Sequence, residues 1–328
     1  MNGSSDFGFK IQNLKSQIIN QKKIPLIIIA GPTAIGKSDV AFELAKRLNT
    51  EIISADSMQV YRYFDIGTAK PSLERRKEIQ HHLIDIVNPD DGFSAGDFNE
   101  RAFKIAEELN KKGKIPVVVG GTGLYIKSLI ENLGCGVRKN EEARERIKSE
   151  FKEFGEEAMY EKLKRVDPQA ANKIHPKDRY RIERALEVYY SSGKPISEVH
   201  KADKKDNRFN TKYFVLNMDR KLLYKRIEDR VDGMVSAGLL NETEGILKMG
   251  YDKNLKPFQS LGYSQMIEYL DGKTDFDSAV QEVKKETRRF AKRQLTWFRG
   301  EKDAVWIDVS ETKDIEEIGT QIYKIYHD

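Results

Sequence analysis

Gly31-Pro32-Thr33-Ala34-Ile35-Gly36-Lys37-Ser38 fits the phosphate-cradling pattern GxxxxGK[ST], a spacing that sets two glycines, a lysine and a hydroxyl around one turn. The glycines let successive amides point inward at the start of a helix, where dipole and donors both favour an anion. Lys37 adds a point charge, and the Ser38 hydroxyl is placed to ligate Mg2+, the cofactor such a loop implies. Residues 31–38 are therefore expected to hold a diphosphate. A carboxylate follows at Asp56, just beyond the apolar pair Ile52-Ile53, and is a candidate base. A second Gly-rich turn, Gly120-Gly121-Thr122-Gly123, follows the apolar run Ile115–Val119. Nucleotide switches and motors close such a strand with an acid. Gly120 stands there instead, which argues for group transfer, with Asp56 the acid in the equivalent place.

These residues need a scaffold. Leu26–Ala30 reads as a buried strand, Asp39–Leu48 as an amphipathic helix and Glu51–Asp56 as a second strand. In open parallel sheets ligands sit at the carboxyl ends of strands, so Asp56 is expected beside the phosphate loop. Asp56–Tyr61 and Asp65–Pro71 read as a turn-rich, substrate-facing loop. His81–Val87 is expected as a third strand and Ser94–Asn110 as a helix opened by a Ser or Asp cap. His81 and His82 lack a third ligand and read as orienting hydrogen bonders.

From Arg138 the pattern changes to apolar residues at helical spacing in a charged background: Ile147, Phe151, Phe154; Met159, Leu163, Val166; Ile182, Leu186, Val188, Tyr189. A strand over Tyr213–Met218 then resumes the sheet. Helices at Arg220–Ala237, Asn241–Lys248, Ser264–Tyr269 and Asp277–Phe298, a strand at Ala304–Val309 and a helix from Asp314 follow. The fold class is α/β, a P-loop NTPase-like parallel sheet flanked by helices. The core is drawn from 24–137 and 206–328, with a helical insertion at 138–205 and an N-terminal extension at 1–23.

The 328 residues carry a net charge of +5, with 33% charged and 39% hydrophobic residues. One cysteine, Cys135, excludes an internal disulfide and a cysteine-rich zinc site. No apolar run approaches the roughly 20 residues of a membrane span, and Met1–Lys23 lacks a signal peptide's apolar core. A cytoplasmic monomer with no membrane contact is expected. Charge placement says more than the total. Between Lys284 and Arg299 stand seven basic residues against one acid, Glu286. Lys285, Arg288, Arg289, Lys292 and Arg299 fall near one helix face, while Val283, Phe290, Leu295 and Phe298 can face a core. Such an imbalance favours a polyanion. Arg and Tyr also alternate through Lys177–Arg184, side chains that stack on splayed RNA bases. A phosphotransferase and an RNA-binding nucleotide switch both fit the loop by itself.

GPTAIGKS, the SADS of Ser54–Ser57, DIGTAKP of Asp65–Pro71, HHLID of His81–Asp85, GGTGLY, RALEV of Arg184–Val188, LGY of Leu261–Tyr263 and AKRQLTWFRG of Ala291–Gly300 together resemble the tRNA dimethylallyltransferases, over residues 24 to 310. The resemblance implies transfer of a prenyl group from dimethylallyl diphosphate to N6 of adenosine 37, beside the tRNA anticodon. The phosphate loop would then hold a prenyl diphosphate in place of ATP. Asp56 matches the family's general base, and Thr122 a contact to the target adenine; Lys37 completes the catalytic set. Ser57, Met58 and Gln59, then Arg144, the stretch Tyr180, Arg181, Ile182, Glu183 and Arg184, then Gln259, Gly262 and Tyr263, and finally Arg288, Arg289, Lys292 and Arg293 resemble tRNA-contacting positions. The insertion resembles a clamp over the anticodon stem. Arg226 and Arg230 are candidates for the departing diphosphate. Transfer to free AMP or ADP keeps the same chemistry with another acceptor; the insertion and the basic helix favour tRNA. The polar N-terminal extension and the absence of a C-terminal zinc finger depart from the family pattern.

Overall fold

The computed structural model describes residues 23–133, 140–202, 208–311 and 314–327; the extension at 1–22, Cys135 and both junctions of the insertion lie outside them. Among the described residues, six strands are β1 (Ile24–Ala30), β2 (Ile52–Ser54), β3 (His81–His82), β4 (Val117–Gly120), β5 (Phe209–Asn217) and β6 (Val305–Asp308). They form one parallel sheet in the order β3-β2-β4-β1-β5-β6. β1 is apolar nearly throughout because both of its faces are covered. Leu26, Ile28 and Ala30 join one core with Val118 and Val215; Ile27 and Ile29, pointing the other way, join a second with Val117, Val119 and Phe214.

The helices in the first half of the core are α1 (Lys37–Arg47), α2 (Leu73–Glu78), α3 (Ala95–Lys111) and α4 (Gly123–Glu131). The insertion contributes α5 (Glu141–Val166), α6 (Pro168–Ala171), α7 (Arg179–Ser192) and α8 (Ile196–Ala202). The second half adds α9 (Arg220–Ser236), α10 (Leu239–Lys248), α11 (Tyr263–Leu270), α12 (Phe276–Phe298) and α13 (Ile315–His327). α3 begins where expected: Ser94 accepts from the Asp97 amide while the Asp97 carboxylate accepts from the Ser94 amide. Within 140–202 all regular structure is helical, and Ile147, Phe151, Leu163, Ile182 and Leu186 build a third core separate from the two on the sheet. α5 is broken at Gly155 (φ 80°), and Phe154, assigned to the apolar set, is 57% exposed there.

Two expectations need correction. β3 spans two residues, not seven, because Leu83 (φ 64°) and Asp85 (φ 57°) take left-handed conformations that end the extended run. Asp85 is drawn instead to Lys70 and Arg76. Helix α2 was not foreseen; it buries none of its residues, so it leaves no apolar periodicity, although Ser72 caps it.

From β1 the chain crosses to β2 and β3, returns to β4, and only later adds β5 and β6 on the far side of β1. The carboxyl edge at this reversal is where open α/β sheets bind ligands. Register levels the functional loops along it. Ser54 and Ile29 both stand opposite Val119. Two residues further on each strand come Asp56, Gly31 and Gly121.

Candidate active site

A cavity of about 930 Å³ opens over this edge. Thr33, Ala34, Gly36, Lys37 and Ser38 form its floor, with Asp56 and Thr122 on the wall beside them. The loop can turn because Gly36 sits at φ 99°, from which α1 starts with its first amides lacking helical acceptors. Asp39 in the first turn and Lys46 and Arg47 in the last complement the helix dipole. Gly31 and Pro32 are buried, and the Ile35 side chain anchors the loop in the core. Lys37 Nζ donates to the Pro32 carbonyl at 3.2 Å. Burial and then the neighbouring Arg230 push the Lys37 ammonium down to about 8, with Asp56 pulling the other way. Burial also lowers Arg230, again with Asp56 opposing. Arg226 Nη1 donates to the Ile35 carbonyl at 3.2 Å. Arg226 and Arg230, two of the three arginines of α9, therefore line the same cavity as the phosphate loop.

Asp56 Oδ1 accepts from the Met58 amide at 2.8 Å and the Gln59 amide at 3.3 Å. One oxygen thus holds a turn, and Oδ2 has no hydrogen-bond partner among the described residues. Thr122 Oγ1 accepts from the Ser57 amide at 3.1 Å, tying the two walls together. Gln59 is nearly buried: Ser54 Oγ donates to its Oε1, and its Nε2 donates to the Thr68 and Ala69 carbonyls. His81 Nδ1 lies 2.8 Å from the Ile79 carbonyl, which can only accept, so Nδ1 carries the proton. His82 bonds Glu51 at 2.8 Å. Both histidines orient neighbours, as expected, and no metal-ligating cluster of three or more His, Cys, Asp or Glu occurs among the described residues.

The loop at 65–71 is held by a carboxylate that the sequence did not single out. Glu242 of α10 accepts from the amides of Asp65, Ile66 and Gly67 and from the Tyr263 hydroxyl. Tyr263 OH also accepts from the Gly67 amide at 3.1 Å. Tyr263 is fully buried against Phe64, so it belongs to the core and not to an RNA surface. Glu242→Ala would take the acceptor from the Asp65 and Ile66 amides and the Tyr263 hydroxyl at once, leaving the Gly67 amide only its bond to Tyr263. It is expected to cost about 3 kcal/mol and lower the thermal midpoint by several degrees; a calorimetric scan within a degree of wild type would refute this.

Apolar side chains line the same cavity: Val231 and Met234 of α9, Val283 and Phe290 of α12. One loop-facing polar residue on α12 was missed. Gln294 is buried and bonds both Thr33 N (2.9 Å) and the Gly121 carbonyl (3.0 Å). A polar residue three positions after Ala291 and four before Phe298, on the apolar stripe, was the available signal.

The other RNA candidates divide. Lys292 and Arg289 are exposed, and Arg293 and Gln259 reach the cavity. Arg288 is already paired with Glu228 (2.6 Å), Lys284 with Asp232 and Arg289 with Glu286. In the insertion Tyr180 is 80% exposed, Arg144 and Arg184 both pair with Glu187, Arg181 with Asp178 and Glu183 with Arg179. Ile182 is fully buried in the insertion's own core, which corrects its assignment to tRNA. Gly262 (φ 92°) starts α11 and lines the cavity by its backbone. Among the described residues no helix is long and apolar enough to cross a membrane.

With this geometry in view, similarity to known proteins is informative. A tRNA dimethylallyltransferase of Syntrophobacter fumaroxidans is 47% identical over 290 residues, covering 88% of this chain and 85% of the relative. A crystal structure of a tRNA isopentenylpyrophosphate transferase from Bacillus halodurans superposes with a TM-score of 0.68 at 39% identity, covering 93% of this chain and 97% of the other. A eukaryotic dimethylallyltransferase acting on tRNA gives a TM-score of 0.79 at 29% identity, over 91% and 77% of the two chains. The family model described as IPP transferase matches residues 59–301, and the chain belongs to that family.

Proposed function

We propose that this cavity transfers a dimethylallyl group from dimethylallyl diphosphate to N6 of adenosine 37 in tRNA, the dimethylallyl transfer being the activity by which its relatives are named. One observation carries the reading: a phosphate loop with three cations, a carboxylate and an apolar wall share a single cavity. The diphosphate lies on the amides of residues 34–38, Lys37, Arg226 and Arg230, and the five-carbon tail lies along Val231, Met234, Val283 and Phe290. Exocyclic N6 is a weak nucleophile because its lone pair is delocalised into the ring. Asp56 Oδ2 accepts its proton as the new C–N bond forms and the allylic C–O bond breaks. Positive groups around the diphosphate stabilise the charge that grows on it.

In the loop the exposed Ser38 hydroxyl would hold Mg2+ together with diphosphate oxygens. Bound there, it neutralises the leaving group. Asp39 is not a second ligand, being paired with Arg75. On the tRNA side we assign recognition to residues 138–205 and to the outer face of α12. That assignment and the choice of the cytoplasm as compartment both rest on tRNA being the acceptor.

Incubation with labelled dimethylallyl diphosphate and, separately, with γ-labelled ATP tests the reaction. Label should enter tRNA from the prenyl donor alone; γ-phosphate transfer would instead establish a kinase. The face of α12 makes a finer prediction. Lys292→Ala should reduce the slope of log K against log salt by about 1, whereas Arg288→Ala should change it less, because Glu228 already neutralises that charge. Equal changes, or none, measured by filter binding across a salt series, would remove the assignment.

A further inference from the structure

Among the described residues, Gln294 alone of the side chains on α12 hydrogen-bonds to both Gly-rich loops, and nothing in the proposed chemistry uses it. Its Oε1 accepts from the Thr33 amide in the phosphate loop, and its Nε2 donates to the carbonyl of Gly121, next to Thr122. Those partners are 261 and 173 residues away in sequence. The fit is close: a Cβ added to Gly121 would stand 2.2 Å from Gln294 Nε2, so only glycine admits the amide. The bond to Thr33 also takes one loop amide away from the anion. Apolar residues of the same length could fill the space; a side chain that both donates and accepts is needed to join these two loops.

We infer that Gln294 is a positioning residue that fixes the distance between the donor-holding loop and the acceptor-facing turn, and so keeps the allylic carbon in line with the attacking nitrogen. This rests on the prenyl-transfer reading above. A gap of about 1 Å between reactants costs on the order of a hundredfold in rate. Loosening the loops should also admit water at the allylic carbon. Water would then form the C–O bond as the diphosphate leaves and release one proton, giving dimethylallyl alcohol and diphosphate in place of the prenylated base.

Gln294→Met keeps the length and removes both hydrogen bonds. At saturating donor and tRNA, its single-turnover transfer rate should fall at least thirtyfold, with tRNA Kd within threefold of wild type. The ratio of alcohol to prenylated tRNA should rise at least tenfold. The Thr33 amide should also exchange with deuterium faster, an effect readable without any reaction. Gly121→Ala, which displaces the amide from the other side, should give the same alcohol ratio, and the double variant should lose no more than either single one. If wild type transfers no prenyl group, the functional reading fails. If wild type transfers it and Gln294→Met keeps its rate and product ratio, or loses transfer only in step with tRNA binding, the positioning role is wrong.

Discussion

Asp56→Asn should lower the single-turnover rate of prenyl transfer by about 10² to 10³ while tRNA affinity stays nearly unchanged. The substitution is a clean test because of how the carboxylate is used. Oδ1 is spent on the Met58 and Gln59 amides, and an asparagine carbonyl can take over both bonds, so the turn should survive. What it cannot supply is a basic oxygen where Oδ2 now stands. Thr122 keeps its own bond to the Ser57 amide in either protein, which leaves the acceptor-facing wall in place. Rapid-quench measurement with both substrates saturating reads the chemical step; an unaltered rate would remove Asp56 from the mechanism. A matching loss in tRNA binding would mean that the turn had collapsed.

Lys37 gives the second large effect. Lys37→Met should cut kcat/KM for the prenyl donor by about 10² or more, because a preorganised cation at the developing negative charge is lost, and should spare tRNA binding. The same lysine predicts a pH dependence. Burial and Arg230 hold its proton loosely in the free protein, at about 8. An anion favours the charged form, so affinity for inorganic diphosphate should be greatest below pH 8 and fall as pH rises through it. Binding near pH 8 to 9 should take up a proton, visible as a heat that varies with the buffer. Affinity that stays flat between pH 7 and 9.5 would contradict this. Stability has a definite sign too. The folded value lies below the ordinary lysine value of 10.5, so between the two the unfolded chain binds more protons and stability rises with pH. At pH 7 the folded state carries the full cost of the buried charge, and Lys37→Met should raise the thermal midpoint of the free protein.

How far these sites could be read without coordinates depends on the range of the interaction that makes them. The phosphate loop is local: eight residues contain its glycines, its lysine and its hydroxyl, and the strand before it is apolar because both faces are covered. Asp56 needed one further step, the rule that ligands gather at carboxyl edges, and the register of β1, β2 and β4 places it as that rule requires. Gln294 and Glu242 were out of reach because each acts on backbone amides far away in the sequence, and no local pattern encodes such a partner. Ile182 and Tyr263 misled for the opposite reason. Each sits inside a motif that the family resemblance assigned to RNA contact, while its own side chain turns inward to pack. The ion pairs of α12 were illegible as well, since Glu228 and Asp232 stand on another helix.

Those pairs bear on selectivity among cellular RNAs. Where Glu228, Asp232 and Glu286 already occupy Arg288, Lys284 and Arg289, a passing polyanion must displace an acid before it gains a cation. Generic duplexes win little from that exchange, and an anticodon arm that also fills the cavity wins the difference. On the RNA-facing role proposed for α12, these pairs exchange sticking power for quick dismissal of wrong molecules and of finished product.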